Sequence, residues 1–408
     1  MLPARNRPPF LYALTTILLL VSFSPCVAAE ALKERSAVQN KFPEFSWDYI
    51  PRYMHVWKRA SYTDEELEFL ADFPLITFEK AQGTAEGSVQ EGTLKAARAV
   101  KVRNAKAKIL YYKNIVIDWT GSAASQELET IEGGYLQSED ATYPVVNQNS
   151  KCKFFDISLP EVQEWWIDDA TQMLDDPSID GIFVDANIKV LVESYFLNLK
   201  KVEKEKAEKI REGYDKLLTE INNNLRPENI IIANIIRARL ENGGLDYLDY
   251  FDGSYLEGFE HNVGGISRPD YMAKGIACAQ EAARQGKIVT FCIGLGEALD
   301  KDSSGIGLDE ARKGVESLAA VDDRLNYVAA MFLVIAEQYS YFLPYDGTWG
   351  VDGKHVNRTW MYTFPVFRKR LGPPKGPATK IGFIYSREFE HCSVWLDIET
   401  EKGKLTWK

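Results

Sequence analysis

Eight short apolar runs recur along the chain, each followed or preceded by a helical stretch, and this alternation constrains the fold more than any other feature. The runs are rich in Val, Ile, Phe and Tyr and fall at residues 54–57, 75–78, 108–112, 181–184, 230–234, 253–256, 288–293 and 340–343. Thr63-Asp64-Glu65-Glu66 opens the first helix, with Thr63 as N-cap and Glu66 as its capping-box partner. Residues 92–102 fill a second helix, and Pro160-Glu161 opens the one before the fourth strand. Residues 193–223 read as one long charged helix, and residues 269–285, 308–318 and 325–338 supply the rest. Strands separated by helices imply a parallel sheet, because parallel neighbours need a crossover connection. Eight such units imply an α/β fold of the (β/α)8 TIM barrel type. The rival is an open doubly wound sheet. It is disfavoured because no G-x-G-x-x-G follows any strand, and no Walker A motif is present.

The tail departs from this pattern. Gly-Pro-rich text at residues 371–377 precedes three segments, 380–384, 392–397 and 404–407, that alternate like antiparallel strands. They predict a small C-terminal antiparallel β appendage packed on the barrel, too short to be an independent domain. The expected organisation is a signal peptide over residues 1–29, a barrel over 30–370 and the appendage over 371–408. Arg5 and Arg7 precede an apolar run at residues 10–23, and Val27-Ala28-Ala29 supplies a cleavage site. The run is shorter than the roughly 20 residues that span a bilayer. The expected location is therefore secreted or periplasmic, with no stable membrane insertion.

Charge and metal-ligand patterns narrow the function. The net charge of −11 argues against non-specific binding to nucleic acid. Cys152, Cys278, Cys292 and Cys392 show no zinc-type spacing, and Cys278 and Cys292 fall at interior positions of a helix and a strand. They read first as buried thiols and second as disulfide partners. The four histidines lack a metal pattern, so no metal and no cofactor is expected. Oligomeric state leaves no signature in the sequence.

In a barrel, functional side chains come from the C-terminal strand ends and the loops that follow. Reading those ends in order gives His55, Trp57 and Lys58, then Glu79 and Lys80, then Tyr112, Lys113 and Asn114. Asp185 and Asn187 follow strand four, Asn234 and Arg237 strand five, Glu257, Glu260 and His261 strand six, and Asp346 and Trp349 strand eight. Two carboxylates stand out. Asp180-Gly181-Ile182-Phe183-Val184-Asp185 is an apolar strand ending in an acid, and Asp252-Gly253-Ser254-Tyr255-Leu256-Glu257 repeats the design two strands later. Facing carboxylates are what glycosidic cleavage needs: one protonates the leaving oxygen, the other attacks the anomeric carbon or activates water. Aromatic residues at the same ends, Trp57, Tyr112, Trp119 and Trp349, suit stacking on sugar rings.

These two motifs resemble those of the glycoside hydrolase barrel families related to the α-amylase and endo-polygalactosaminidase superfamily. Phe155-Asp156-Ile157-Ser158-Leu159-Pro160-Glu161-Val162, with Trp165-Trp166, is similar to their entry into the helix before the acidic strand. The tail at Tyr385-Ser386-Arg387-Glu388-Phe389 is similar to theirs as well, so the likeness runs from about Ser46 to Trp407. The resemblance implies a barrel, with Asp185 as nucleophile or base and Glu257 as proton donor. Two departures weaken the likeness to amylases. Phe183 stands where their strand four carries an Arg, and strand seven offers only Cys292 and then Glu297 where a third acid is customary.

Lys58, Lys80 and Lys113 follow consecutive strands, and Arg237 follows strand five. This basic concentration in an acidic chain predicts a subsite for an anionic sugar. It also opens a second enzyme class, a polysaccharide lyase using Lys113 with Tyr112 or Lys58 with His55. A third reading is a glycan-binding barrel without catalysis. The leading expectation is a glycoside hydrolase acting on a carbohydrate.

Overall fold

The computed structural model describes residues 41–138, 144–147, 150–192, 194–260, 265–295, 315–344, 349–352, 360–361 and 363–408. The signal-peptide reading, His261, Glu297 and Asp346 lie outside the described residues. Eight parallel strands run in sequence order: β1 (Met54–Trp57), β2 (Leu75–Phe78), β3 (Lys108–Asn114), β4 (Gly181–Asp185), β5 (Ile230–Ala233), β6 (Gly253–Leu256), β7 (Ile288–Cys292) and β8 (Ser340–Leu343). The ring closes where β8 meets the residues leading into β1. Arg52 bridges Phe342, the Tyr53 amide donates to the Phe342 carbonyl at 3.0 Å, and the Phe342 amide donates to that of Pro51 at 2.9 Å. A two-residue strand, β9 (Trp349–Gly350), joins the same edge of β1, the one opposite β2. The (β/α)8 barrel expected from the strand–helix alternation is the fold.

The described helices are α1 (Asp64–Ala71), α2 (Val89–Arg103), α3 (Pro160–Leu174), α4 (Lys204–Glu220), α5 (Arg268–Arg284) and α6 (Val315–Ile335), with shorter turns between. Thr63 and Glu66 make the capping box at α1, and Pro160 occupies the first turn of α3. The long helix expected over residues 193–223 is broken. Tyr195–Leu199 forms a separate turn, Lys201 takes a left-handed φ of 51°, and α4 begins only at Lys204. In contrast, the break expected before residue 325 is absent. Helix α6 runs through Asp322 and Asp323, both exposed, because its opposite face buries Leu325, Val328 and Phe332.

The tail forms four antiparallel strands rather than three: β10 (Thr379–Ile381), β11 (Ile384–Glu388), β12 (Cys392–Asp397) and β13 (Lys402–Trp407). Gly382, at φ 60°, turns the chain inside the segment that reads as one strand. The small sheet packs on α6. Gly403 approaches so closely that a Cβ there would lie 2.5 Å from the Tyr327 Cα. Buried Arg387 donates to the Leu333 carbonyl at 3.1 Å and pairs with Glu337 at 2.7 Å, satisfying the C-terminal end of the same helix.

The barrel interior is packed with aromatic rings. His55 lies 4.7 Å from Phe183 and 5.2 Å from Tyr255, centroid to centroid, and Phe183 lies 5.2 Å from Tyr255. At the N-terminal ends of β4 and β6 the Asp-Gly pairs make the same joint twice. Asp180 accepts from the Ile109 amide at 2.8 Å and pairs with Lys101 and Lys108 at 2.7 and 3.3 Å. Asp252 accepts from the Ile231 amide at 2.9 Å and pairs with Lys41 and Arg226 at 2.8 and 3.2 Å. The adjoining glycines let neighbouring strands approach: a Cβ on Gly181 would lie 1.9 Å from the Ile230 carbonyl oxygen, and one on Gly253 2.1 Å from that of Ile288. Cys152, Cys278, Cys292 and Cys392 are buried free thiols, so the disulfide alternative is not realised.

Candidate active site

Asp185 ends β4 and Glu257 follows β6, so both carboxylates rise at the C-terminal mouth of the barrel. Asn234, directly after β5, stands between them. Its Nδ2 donates to Asp185 Oδ1 at 3.1 Å and to Glu257 Oε1 at 2.8 Å. Two contacts from one nitrogen hold these oxygens no farther apart than the sum of 3.1 and 2.8 Å, about 6 Å.

The two acids have different surroundings. Asp185 Oδ2 accepts from the Tyr112 hydroxyl at 2.6 Å and from Asn114 Nδ2 at 3.4 Å. The same hydroxyl accepts from Asn114 Nδ2 at 2.9 Å and Trp119 Nε1 at 3.1 Å, so its one donor and two acceptor positions are all used. Burial works to raise the Asp185 pKa. The Tyr112 hydrogen bond, the charges of Lys80 and Lys189 and the Ala186 amide outweigh it and hold the carboxyl below its ordinary range. Ala186 supplies that amide from a left-handed backbone, φ 67°, a conformation costly for a residue with a Cβ. Glu257 is held through Oε1 alone, by Asn234 and by Arg237 at 2.8 Å. Its Oε2 has no hydrogen-bond partner among the described residues, and a third of its side chain is exposed.

Lys80 and Glu79 complete the mouth. The Lys80 ammonium pairs with Glu79 and lies 5.3 Å from the Tyr112 ring centroid and 5.0 Å from that of Trp119. Burial raises the Glu79 pKa, and Lys80 only partly offsets it. Lys80 is itself lowered by burial but raised more by Glu79, Asp185 and Glu257, and its net shift is upward.

Several expected site residues serve other ends. His55 is buried inside the barrel, its Nδ1 3.2 Å from the Tyr53 hydroxyl, and burial with the charge of Lys80 lowers its pKa to about 3. It is a neutral core residue beneath the site. Lys113 points away from the barrel axis, because alternation along β3 turns Tyr112 and Asn114 inward; it pairs with Asp169 against Trp165 and Trp166. Lys58 pairs with Glu66 of α1 at 2.6 Å. Asn187 is fully buried and ties strand ends together, donating to the Val184 carbonyl at 2.8 Å and accepting from Tyr214 at 3.0 Å. Glu260 is held by Arg268 and Arg324. Trp57 is half-buried beside Arg59, and Trp349 contributes backbone to β9. Lys189, whose charge reaches Asp185, escaped the strand-end reading. It lies four residues beyond Asp185 on the short turn Asn187–Leu191, and that spacing was the available signal.

Residues 101–393 match the family model described as hypothetical glycosyl hydrolase family 15. The chain belongs to this family. Its reaction class is therefore glycoside hydrolysis, and the matched region contains both mouth carboxylates. Among solved structures, the chain resembles the glycoside hydrolase domain of PelA from Pseudomonas aeruginosa, with 14% identity and TM-score 0.41 over 64% of this chain and 91% of that one. It resembles an α-amylase from Anoxybacillus, with 11% identity and TM-score 0.46 over 86% and 87% of the two chains. Eubacterium rectale Amy13B gives 12% identity and TM-score 0.46 over 88% of each chain. No curated protein sequence matches. No described helix is long and apolar enough to cross a membrane, and no cluster of metal-ligating side chains occurs among the described residues.

Proposed function

We propose that the chain cleaves a poly- or oligosaccharide with retention of anomeric configuration, using Asp185 as nucleophile and Glu257 as acid and then base. The observation that carries this reading is the single Asn234 nitrogen bonded to both carboxylates. Retaining glycosidases place their carboxyl groups about 5–5.5 Å apart, whereas inverting ones leave roughly 6.5–9.5 Å for a water. Asp185, held below the ordinary range, stays ionised for attack. In the first step its oxygen bonds to the anomeric carbon, the bond to the leaving oxygen breaks, and Glu257 gives that oxygen a proton. In the second step Glu257 takes a proton from water, whose oxygen displaces Asp185.

The four cations that predicted an anionic subsite each have a carboxylate partner: Glu66, Glu79, Asp169 and Glu257. This compensation favours a neutral glycan. A lyase draws no support, because His55 is buried in the core and the Tyr112 hydroxyl is committed to Asp185. The leader-like residues 1–29 support action outside the cytoplasm.

The test is a screen of residues 30–408 beside Asp185→Asn and Glu257→Gln on neutral, uronic and sulfated polysaccharides. It follows new reducing ends, ultraviolet absorbance and the anomer first released. Loss of reducing ends by about a thousandfold or more in both variants is expected. Initial release of the inverted anomer would overturn the retaining assignment, and unsaturated products surviving both substitutions would make the enzyme a lyase.

A further inference from the structure

Glu260 lies three residues beyond Glu257, and its surroundings assign it a task other than binding sugar. Its carboxylate accepts from Arg324 Nη1 at 2.9 Å, also contacts Arg324 Nη2, and accepts from Arg268 Nη2 at 2.8 Å. Arg324 comes from α6 and also donates to the Gly294 carbonyl, after β7, at 3.0 Å through Nε and 2.9 Å through Nη2. Arg268 opens α5 and uses its other nitrogen, Nη1, to pair with Glu401. Glu401 belongs to the turn between β12 and β13, where Gly403 lets the small sheet press against Asn326 and Tyr327 of α6. One carboxylate thus joins the β6 loop, the β7 loop, two helices and the C-terminal sheet. Glu260 and Arg324 are 16% and 19% exposed, so water screens their paired fork less than it does a surface ion pair.

We infer that Glu260 is a positioning residue for Glu257, and that the C-terminal sheet, through Glu401 and Arg268, is part of the device that holds the proton donor in place. The inference rests on Glu257 acting as proposed above. The Leu256–Glu260 segment departs from the barrel after a four-residue strand, and among the described residues only Asn234 and Arg237 hold the Glu257 carboxylate itself. The network on Glu260 fixes the far side of that segment. A displacement of about 1 Å at a reacting group can cost on the order of a hundredfold in rate, so partial loosening has a measurable effect.

The test compares the wild-type chain with Glu260→Gln, Glu401→Gln and Glu401→Asp, by amide hydrogen exchange and by turnover of whichever glycan the wild type cleaves. Glu260→Gln is expected to lower kcat about tenfold and Glu401→Gln about threefold, with KM changed less than twofold, and Glu401→Asp to restore most of the loss. Exchange in peptides carrying residues 256–260 should quicken in both Gln variants while β4 keeps its protection. Unchanged exchange there in Glu401→Gln overturns the coupling to the C-terminal sheet. Uniformly faster exchange across the barrel, or a raised KM at unchanged kcat, overturns the positioning role. Should Glu257→Gln retain turnover, the proposed mechanism fails on that result alone, and the exchange data still decide whether the network orders the loop.

Discussion

Strands β4 and β6 carry a carboxylate at each end, and the two ends use it differently. At the N-terminal end, Asp180 and Asp252 each accept a backbone amide from the neighbouring strand and pair with two cations. At the mouth, Asp185 and Glu257 share one Asn234 nitrogen, and Glu257 keeps an oxygen without a partner among the described residues. Asp252 is 6% exposed and Glu257 33%. Asp180 and Asp252, each clamped by two cations and a strand amide, are joints between strands. A carboxylate with an unengaged, reachable oxygen can accept or release a proton. The same residue types, five positions apart on the same strands, are separated by their partners.

The largest effect that sharpens this contrast belongs to the lower end. Asp252→Asn removes the charge shared by Lys41 and Arg226 and should cost about 3 kcal/mol of stability in urea unfolding. Specific activity of the folded fraction should be unchanged; lost turnover at full stability would erase the distinction between the ends. The second effect lies midway along the axis. Because the His55 pKa is lowered to about 3 in the fold, the unfolded chain alone takes up this proton as pH falls below about 6.5. The associated stability is complete above that value and is lost on descending toward pH 3. Between pH 7.5 and 4.5 it should amount to about 2–3 kcal/mol, absent from His55→Gln, and equal pH slopes in the two chains would refute it. The smallest effect is at the mouth. Tyr112→Phe removes a donor that lowers Asp185, so kcat should fall about tenfold and the acid limb of kcat/KM should move to higher pH. An unmoved limb would show that Lys80, Lys189 and the Ala186 amide suffice to keep Asp185 ionised.

The barrel was legible because each strand is a compact apolar run and the start of α1 carries its capping signal at Thr63 and Glu66. Asp185 and Glu257 were legible for a related reason, since a charged group ending an apolar strand is conspicuous. The aspartates that open the same motifs were not read as joints, because their partners Lys41 and Lys101 come from distant segments. Lys113 was misplaced although the means to place it existed: one residue from inward Tyr112 is the opposite face of a strand. Glu260 could not be placed from sequence, because Arg324 stands 64 residues away and local patterns say nothing about such a pairing.

Asn234 spends both amide protons on the two acids, and this makes it a ruler. On the retaining mechanism proposed above, a spacer of one nitrogen keeps the two carboxylates close enough for direct attack on the anomeric carbon. Under the proposed chemistry, the stereochemical outcome is written in a side chain that neither attacks the anomeric carbon nor gives up a proton. Lengthening that side chain by one methylene would be an edit to the product's handedness made without touching either acid.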